Sequence, residues 1–368
     1  MDFLKGKIKL LDRFIIGKYL GTFFYTLCVF VLIIIIFDLS EKLDNFLEND
    51  LSLWQIASQY FAGSIPFYVN LLSPLINFIA VIFFTAKMAD QTEIVPVLSG
   101  GVSFNRFLFP YFISASVIFL ITLASNLYLL PYTNRVMNEF TNTYIKRKAD
   151  IANRNNIHMR LDSNTVVYLE TFDNKTKTGY KFNLDKFSDD DLKMKLVAEQ
   201  IKWDSLSRNW KISNYSVRHI NGLNETIVQG GTSVKDTILD MDPNDFSPYE
   251  NVYTNISTSD LAAKIEKEKV RGSGVMQDLR FEYYKRFLHP LSAYVLTLMG
   301  VALSSRKVRG GVGLPLGIGI FLSFIYIVLN QFAQMFATKG GFPPLLAVLF
   351  PTIFFAILGS YLLYKAPK

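Results

Sequence analysis

The sequence predicts an α-helical integral membrane protein with six transmembrane helices, arranged 3+3 around an inserted all-β, jelly-roll-like domain. Half of the 368 residues are hydrophobic and 15% are aromatic, and the apolar ones are gathered into long uncharged blocks instead of recurring with the period of a soluble core. Six such blocks occur, each long enough to cross about 30 Å of hydrocarbon at 1.5 Å per helical residue. Between the third and fourth the chain changes character, becoming rich in Lys, Asp, Asn and Ser with short alternating apolar runs.

The first block, Tyr19 to Phe37, follows Lys5, Lys7, Lys9, Arg13 and Lys18. It lacks a small-residue cleavage site and is longer than a secretory signal, so it is expected to be retained. The second, Trp54 to Ala86, has 33 residues, too many for one straight crossing, so its start, Trp54 to Ile65, is expected to lie along the interface before Pro66. The others are Phe107 to Asn134, Phe287 to Ser305, Gly310 to Thr338 and Gly340 to Tyr364. Cations collect on one side: those before the first block, Arg306, Lys307 and Arg309 after the fourth, and Lys365 and Lys368 after the sixth. The stretch Asp38 to Asp50 is mostly acidic, with Lys42 its one cation. The positive-inside rule then puts both termini in the cytoplasm and residues 134–286 outside. The net charge of +7 follows partly from this bias and calls for no nucleic-acid partner.

The domains expected are an N-terminal membrane half (1–134), a β-rich domain with helical connectors (135–280) and a C-terminal membrane half (281–368). In the insert, Leu192, Met194, Leu196 and Ala198 alternate with polar neighbours, and the alternation resumes one residue out of phase at Ile201 and Trp203. That predicts a half-buried strand bulged near Glu199. NTVVYLE (164–170), NWKISNYSVRHI (209–220) and NETIVQGGTSV (224–234) read as further strands, with turns at Asp173-Asn174-Lys175 and Asn221-Gly222. Arg135 to Ala152 and Thr258 to Lys269 read as helices, the second capped within Ser257 to Asp260. Cys28 is the single cysteine, so packing and not disulfides must hold this domain.

Catalytic signatures are missing from the sequence. There is no phosphate loop, no HExxH and no GxSxG. His158, His219 and His289 are scattered, so no metal cluster is expected. The six blocks contain no carboxylate, which removes the usual mark of an ion-coupled transporter. Asn70, Asn77 and Asn126 read as helix-to-helix hydrogen bonders, and Asn330 and Gln331 as either that or the lining of a substrate path.

The segment Thr85 to Phe107 is longer than a reconnecting turn needs. Glu93, Ile94, Val97 and Leu98 fit a short helix over about 92–101, with Pro96 in its first turn and Gly100-Gly101 as its stop. Such a helix presents apolar side chains and a carboxylate to a soluble partner, or caps the bundle. With no nucleotide site of its own and no ion relay, the protein needs an external energy source if it moves anything.

LLDRFIIGKYL (10–20), TEIVPVLSGGVS (92–103), EYYKRFLHPLS (282–292) and VLNQFAQMFATKGGFPPLLAVLFP (328–351) together resemble the LptF/LptG family of lipopolysaccharide-export permeases, with the LptG branch favoured. Their order and spacing, with the 3+3 blocks around a β insert, extend the resemblance over essentially the whole chain. It implies a non-enzymatic subunit of an ATP-binding-cassette transporter in the bacterial inner membrane, paired with a second LptF-like or LptG-like permease. An LptB-like ATPase dimer would bind ATP and magnesium, and the periplasmic β domain would pass lipopolysaccharide to an LptC/LptA-like bridge. Glu93 matches the family's acidic coupling residue; Ile94, Val97, Leu98 and Gly100 complete the coupling segment. The first and fifth spans become lateral gates, offering Phe30, Ile36, Phe324, Ile327 and Gln331 to the lipid. Lys42, Arg135, Lys285 and Arg286 become phosphate ligands, with salt bridges to Glu41 or Glu282 as the competing role. The reading from another class is a membrane-anchored scaffold whose β domain binds a partner without transport.

Overall fold

The computed structural model describes residues 9–145, 154–173, 176–188, 191–231, 234–246, 252–271, 275–308 and 311–365. Lys5, Lys7, Arg309 and Lys368, and Asn174 and Lys175 of the expected turn, lie outside them. The chain divides into two compact units, one of Met1–Ile145, Tyr253–Thr258 and Gln277–Lys368, the other of Lys146–Val252 and Ser259–Met276.

The helical unit is built on α1 (Leu10–Glu48), α2 (Leu53–Asp90), the short α3 (Ile94–Ser99), α4 (Phe104–Ile145), α6 (Met276–Ser304), α7 (Gly313–Lys339) and α8 (Pro344–Tyr364); α5 (Thr258–Arg271) precedes α6. Six of these, α1, α2, α4, α6, α7 and α8, are long and apolar enough to cross a membrane. The chain stays helical from Leu53 through Pro66 and Pro74, and the irregularity falls earlier, at a π-helical turn over Ile56–Phe61 where the Ala62 N–H reaches back to the Ala57 carbonyl. A proline in an apolar helix removes one hydrogen bond, and neighbouring helices let the helix continue.

α2 is the hub. Ile76, Phe78, Ala80, Val81, Ile82 and Phe84 are all buried, as befits a helix apolar on every side. Glycines bring its neighbours close: a Cβ on Gly300 of α6 would stand 2.4 Å from Val81 Cγ1. Gly300→Ala is therefore expected to cost about 1–3 kcal/mol through overpacking, read as a lowered melting temperature of the detergent-solubilised protein. Beside this contact the Tyr19 hydroxyl donates to Asn77 Oδ1 at 2.6 Å and lies 2.7 Å from Thr297 Oγ1. Asn77 Nδ2 donates to Thr297 Oγ1 and to the Ala293 carbonyl, both at 3.2 Å, so one buried amide joins α1, α2 and α6. Asn126 likewise donates to the Arg286 carbonyl at 3.2 Å, whereas Asn330 turns back to Tyr326 of its own helix.

The second unit is the all-β domain its alternation predicts. Strands β1 (Arg154–Asp162), β2 (Thr165–Asp173), β3 (Thr178–Ser188), β4 (Asp191–Asp204), β5 (Asn209–Asn221) and β6 (Asn224–Gly231) pair antiparallel in sequence order, and β7 (Lys235–Thr237) pairs with β5. The order is that of a meander. Its core holds Leu169, Phe172, Phe182, Ile201, Trp210 and Phe246.

The change of phase in β4 is real but is not an inserted residue. Ala198 pairs with Tyr215 and Gln200 with Ser213, so the register is the same on both sides of Glu199. Instead four adjoining strands, β2 to β5, change phase together. Inward residues step by three across one row, from Leu169 to Phe172, Gly179 to Phe182, Ala198 to Ile201 and Ile212 to Tyr215. In that row Asn156, Lys181 and Asn214 have φ of 54°, 51° and 50°, a left-handed conformation that rotates the next side chain to the other face. Lys181 pairs with Glu170 at 2.6 Å, and Asn214 donates to Glu199 at 2.7 Å, within the row.

Candidate functional site

α3 is the segment that the sequence singles out. Glu93 is its N-cap, Pro96 lies in its first turn where no amide is needed, and it ends at Gly100 and at Gly101, whose φ is +85°. Its outward face differs from the sequence expectation. Ile94 is 2% exposed and joins the core of the helical unit, and Val97 and Leu98 are half-buried against that core. The side chains turned to solvent are Glu93, Val95 and Pro96, with Ser99 and Gly100 beside them. A helix of six residues keeps one apolar edge for its own bundle, and Ile94 supplies it. Lys307 Nζ, from the loop after α6, donates to the Asp90 carbonyl at 3.2 Å and so ties that loop to the end of α2.

Directly after α3, Arg106 of α4 reaches α1. Its Nη1 and Nη2 donate to Asp12 Oδ1 and Oδ2 at 2.7 and 2.6 Å, and the Lys9 amide donates to Oδ2 at 2.8 Å. Asp12 is 1% exposed. Sequence reasoning missed this pair. Its signals were a carboxylate in an otherwise basic flank and a lone cation at the start of the third block.

At the opposite end of the helical unit lie the four cations considered as phosphate ligands. The Lys42 ammonium donates to Asp38 and to the Tyr60 hydroxyl, and sits over the Tyr60 ring 4.9 Å from its centroid. Its acid is thus Asp38, one turn back, and not Glu41. Arg286 is buried: it donates to Glu282 at 3.3 Å, to Thr258 Oγ1 at 3.0 Å, and to the carbonyls of Tyr253 and Ile256 at 3.2 and 3.1 Å. It fastens the connector over residues 253–258 to α6. Arg135 pairs with Glu139 at 3.1 Å, both largely exposed, and Lys285 stands 4.0 Å from Glu282. Arg135 and Lys285 keep the more accessible charges of the four.

Three of the predicted site residues meet in one place. Lys285 of α6 and Ile327 and Gln331 of α7 line a cavity of about 40 Å³ together with His289, Asn330 and Gln334. That is room for one or two waters and not for a lipid headgroup. His289 Nδ1 is buried there without a hydrogen-bond partner. Phe30, Ile36 and Phe324 stand elsewhere. Phe30 is half-buried against the core, while Ile36 and Phe324 are 66% and 63% exposed on the apolar faces of α1 and α7.

The fold defines a multi-pass helical membrane protein split into two halves by an all-β insert. Comparison with known proteins then gives its family: residues 13–365 match the family described as lipopolysaccharide export system permease LptF/LptG, and the chain belongs to it. It is similar to the lipopolysaccharide export system permease protein LptG of Haemophilus influenzae, 22% identical over 368 residues that cover 97% of this chain and 99% of that protein. It is also similar to the LptG of Escherichia coli K12, 20% identical over 318 residues covering 84% and 85%.

Proposed function

We propose that this chain is the permease subunit of an ATP-driven exporter that lifts lipopolysaccharide out of the inner membrane, with hydrolysis carried out by a separate soluble ATPase seated on α3. The observation that carries the reading is α3 itself: a short helix that leaves Glu93, Val95 and Pro96 outward while Ile94 locks it into the core. Force applied to such a helix passes into the bundle instead of being absorbed by a loose loop. In this reading both termini and α3 face the cytoplasm, the β domain is periplasmic, a second LptF-like or LptG-like permease completes the membrane part, and an LptC/LptA-like bridge accepts the lipid. The ATPase is an LptB-like dimer that holds ATP and magnesium; this chain needs no cofactor.

Physics requires the outside energy source. At about 0.8 kcal/mol per buried CH₂, withdrawing one long acyl chain costs on the order of 10 kcal/mol, and the lipid carries several. The exposed apolar faces of α1 and α7, with Phe24, Ile36, Phe321, Phe324 and Phe332, are the surfaces against which such chains would be sheltered between subunits.

Affinity purification from native membranes tests the reading. The intact chain is expected to recover a soluble ATPase, and Glu93→Lys to lower that recovery by about tenfold or more, the usual cost of reversing a charge at an interface. Equal recovery after replacement of the whole 92–101 segment would overturn it.

A further inference from the structure

We infer that Asp12 and Arg106 form the joint through which α3 moves α1, making Arg106 a positioning residue for export; this rests on the coupling role of α3 proposed above. Arg106 is the third residue of α4 and follows α3 by a link containing Gly100, Gly101 and Ser103, whose hydroxyl caps α4 by accepting the Arg106 amide at 3.4 Å. A displacement of α3 therefore arrives at the first turn of α4. There the Arg106 fork holds both oxygens of Asp12, and the Lys9 amide holds Oδ2 from the other side. Two parallel charge-assisted bonds fix direction as well as distance. Because Asp12 is 1% exposed, parting the two would strand a buried charge, so the ends move together or not at all.

The rest of α1 suits a lever. Beyond the ion pair, Tyr19 packs on Tyr111 of α4 with ring centroids 5.9 Å apart, and Phe107 packs on Tyr111 at 5.5 Å. The buried residues of α1 are Asp12, Ile15, Tyr19 and Phe23, and then none until Asp38. α1 is thus gripped along its first turns by α2, α4 and α6 and only lightly held through its middle, where its apolar face stands open. A shift at Asp12 is carried along a stiff helix to that open stretch. An ordinary anchor would need only the apolar contacts; the buried bidentate charge, placed one turn after the coupling segment, adds a directional tie.

The test uses the whole complex, purified with its ATPase and reconstituted in vesicles containing lipopolysaccharide. Three quantities are read: ATPase recovered, ATP hydrolysed, and lipid released per ATP. Arg106→Gln is expected to leave the first two unchanged and to lower lipid released per ATP by about tenfold, within the usual range of coupling between sites. Arg106→Lys, which keeps the charge but loses the fork, should fall between. The exchange of Asp12→Arg with Arg106→Asp should restore the ratio. An Arg106→Gln complex that assembles fully and releases as much lipid per ATP overturns the inference. If that variant fails to assemble, the exchange decides: recovered assembly with a recovered ratio supports the joint, and recovered assembly with a low ratio overturns it. Glu93→Lys separates the two levels, since ATPase recovery unaffected by that change defeats the coupling reading itself, whatever Arg106 does.

Discussion

Trp210→Ala should destabilise the β domain by about 3–5 kcal/mol, a large part of the 5–15 kcal/mol typical of a whole domain. Trp210 is fully buried, with its ring centroid 5.1 Å from that of Trp203, 6.0 Å from Phe246 and 6.3 Å from Phe172. Its indole N–H donates to the Met241 carbonyl at 3.0 Å and so pins the segment after β7 against the sheet. The truncation leaves a cavity between rigid rings that cannot collapse into it, and deprives a carbonyl of its donor. Limited proteolysis of the full chain reads the result: cleavage within residues 154–246 should appear at temperatures where the unaltered protein resists. Unchanged resistance would mean that the core repacks around the gap.

Arg286→Met is the second. It withdraws donors from Thr258 Oγ1 and the Ile256 carbonyl and breaks the ion pair with Glu282. Removing one member of a buried charge pair costs about 3–5 kcal/mol, and the low end applies because Lys285 stays within 4.0 Å of Glu282. The yield of folded protein in detergent should fall whether or not lipid is present, and Arg286→Lys should not restore it, since an ammonium cannot supply the fork that spans these acceptors. Normal yield with loss of lipid binding alone would make Arg286 a ligand and not a fastener.

The elements were legible in the sequence because their signals are local. Six uncharged blocks give six helices, alternation gives the strands, and α3 is bounded by Glu93, Pro96 and the glycines at 100 and 101. Which way α3 faces was not legible, because six residues make too few turns for a face to repeat. The pair of Arg286 with Glu282 was legible as an alternative, but its role as a fastener was not, because several of its acceptors are backbone carbonyls, which leave no mark in a sequence. Asp12 and Arg106 lie 94 residues apart, and nothing in either neighbourhood names the other. Lys42 lies one turn from Asp38, but a pairing at that spacing gains its weight here from Tyr60 of another helix.

The row that carries Glu170, Lys181, Glu199 and Asn214 bears on how this domain can vary in length. Strands β2 to β5 reverse their facing at the same height, so none of these four can lose or gain a residue near that height by itself. A single deletion in β4 would swap the faces of that strand beyond it, turning its later inward side chains outward while β3 and β5 kept theirs inward. Tolerated indels should therefore cluster in the hairpin ends, such as 205–208 and 221–224, and a viable change beside the row would have to be made in adjoining strands at once.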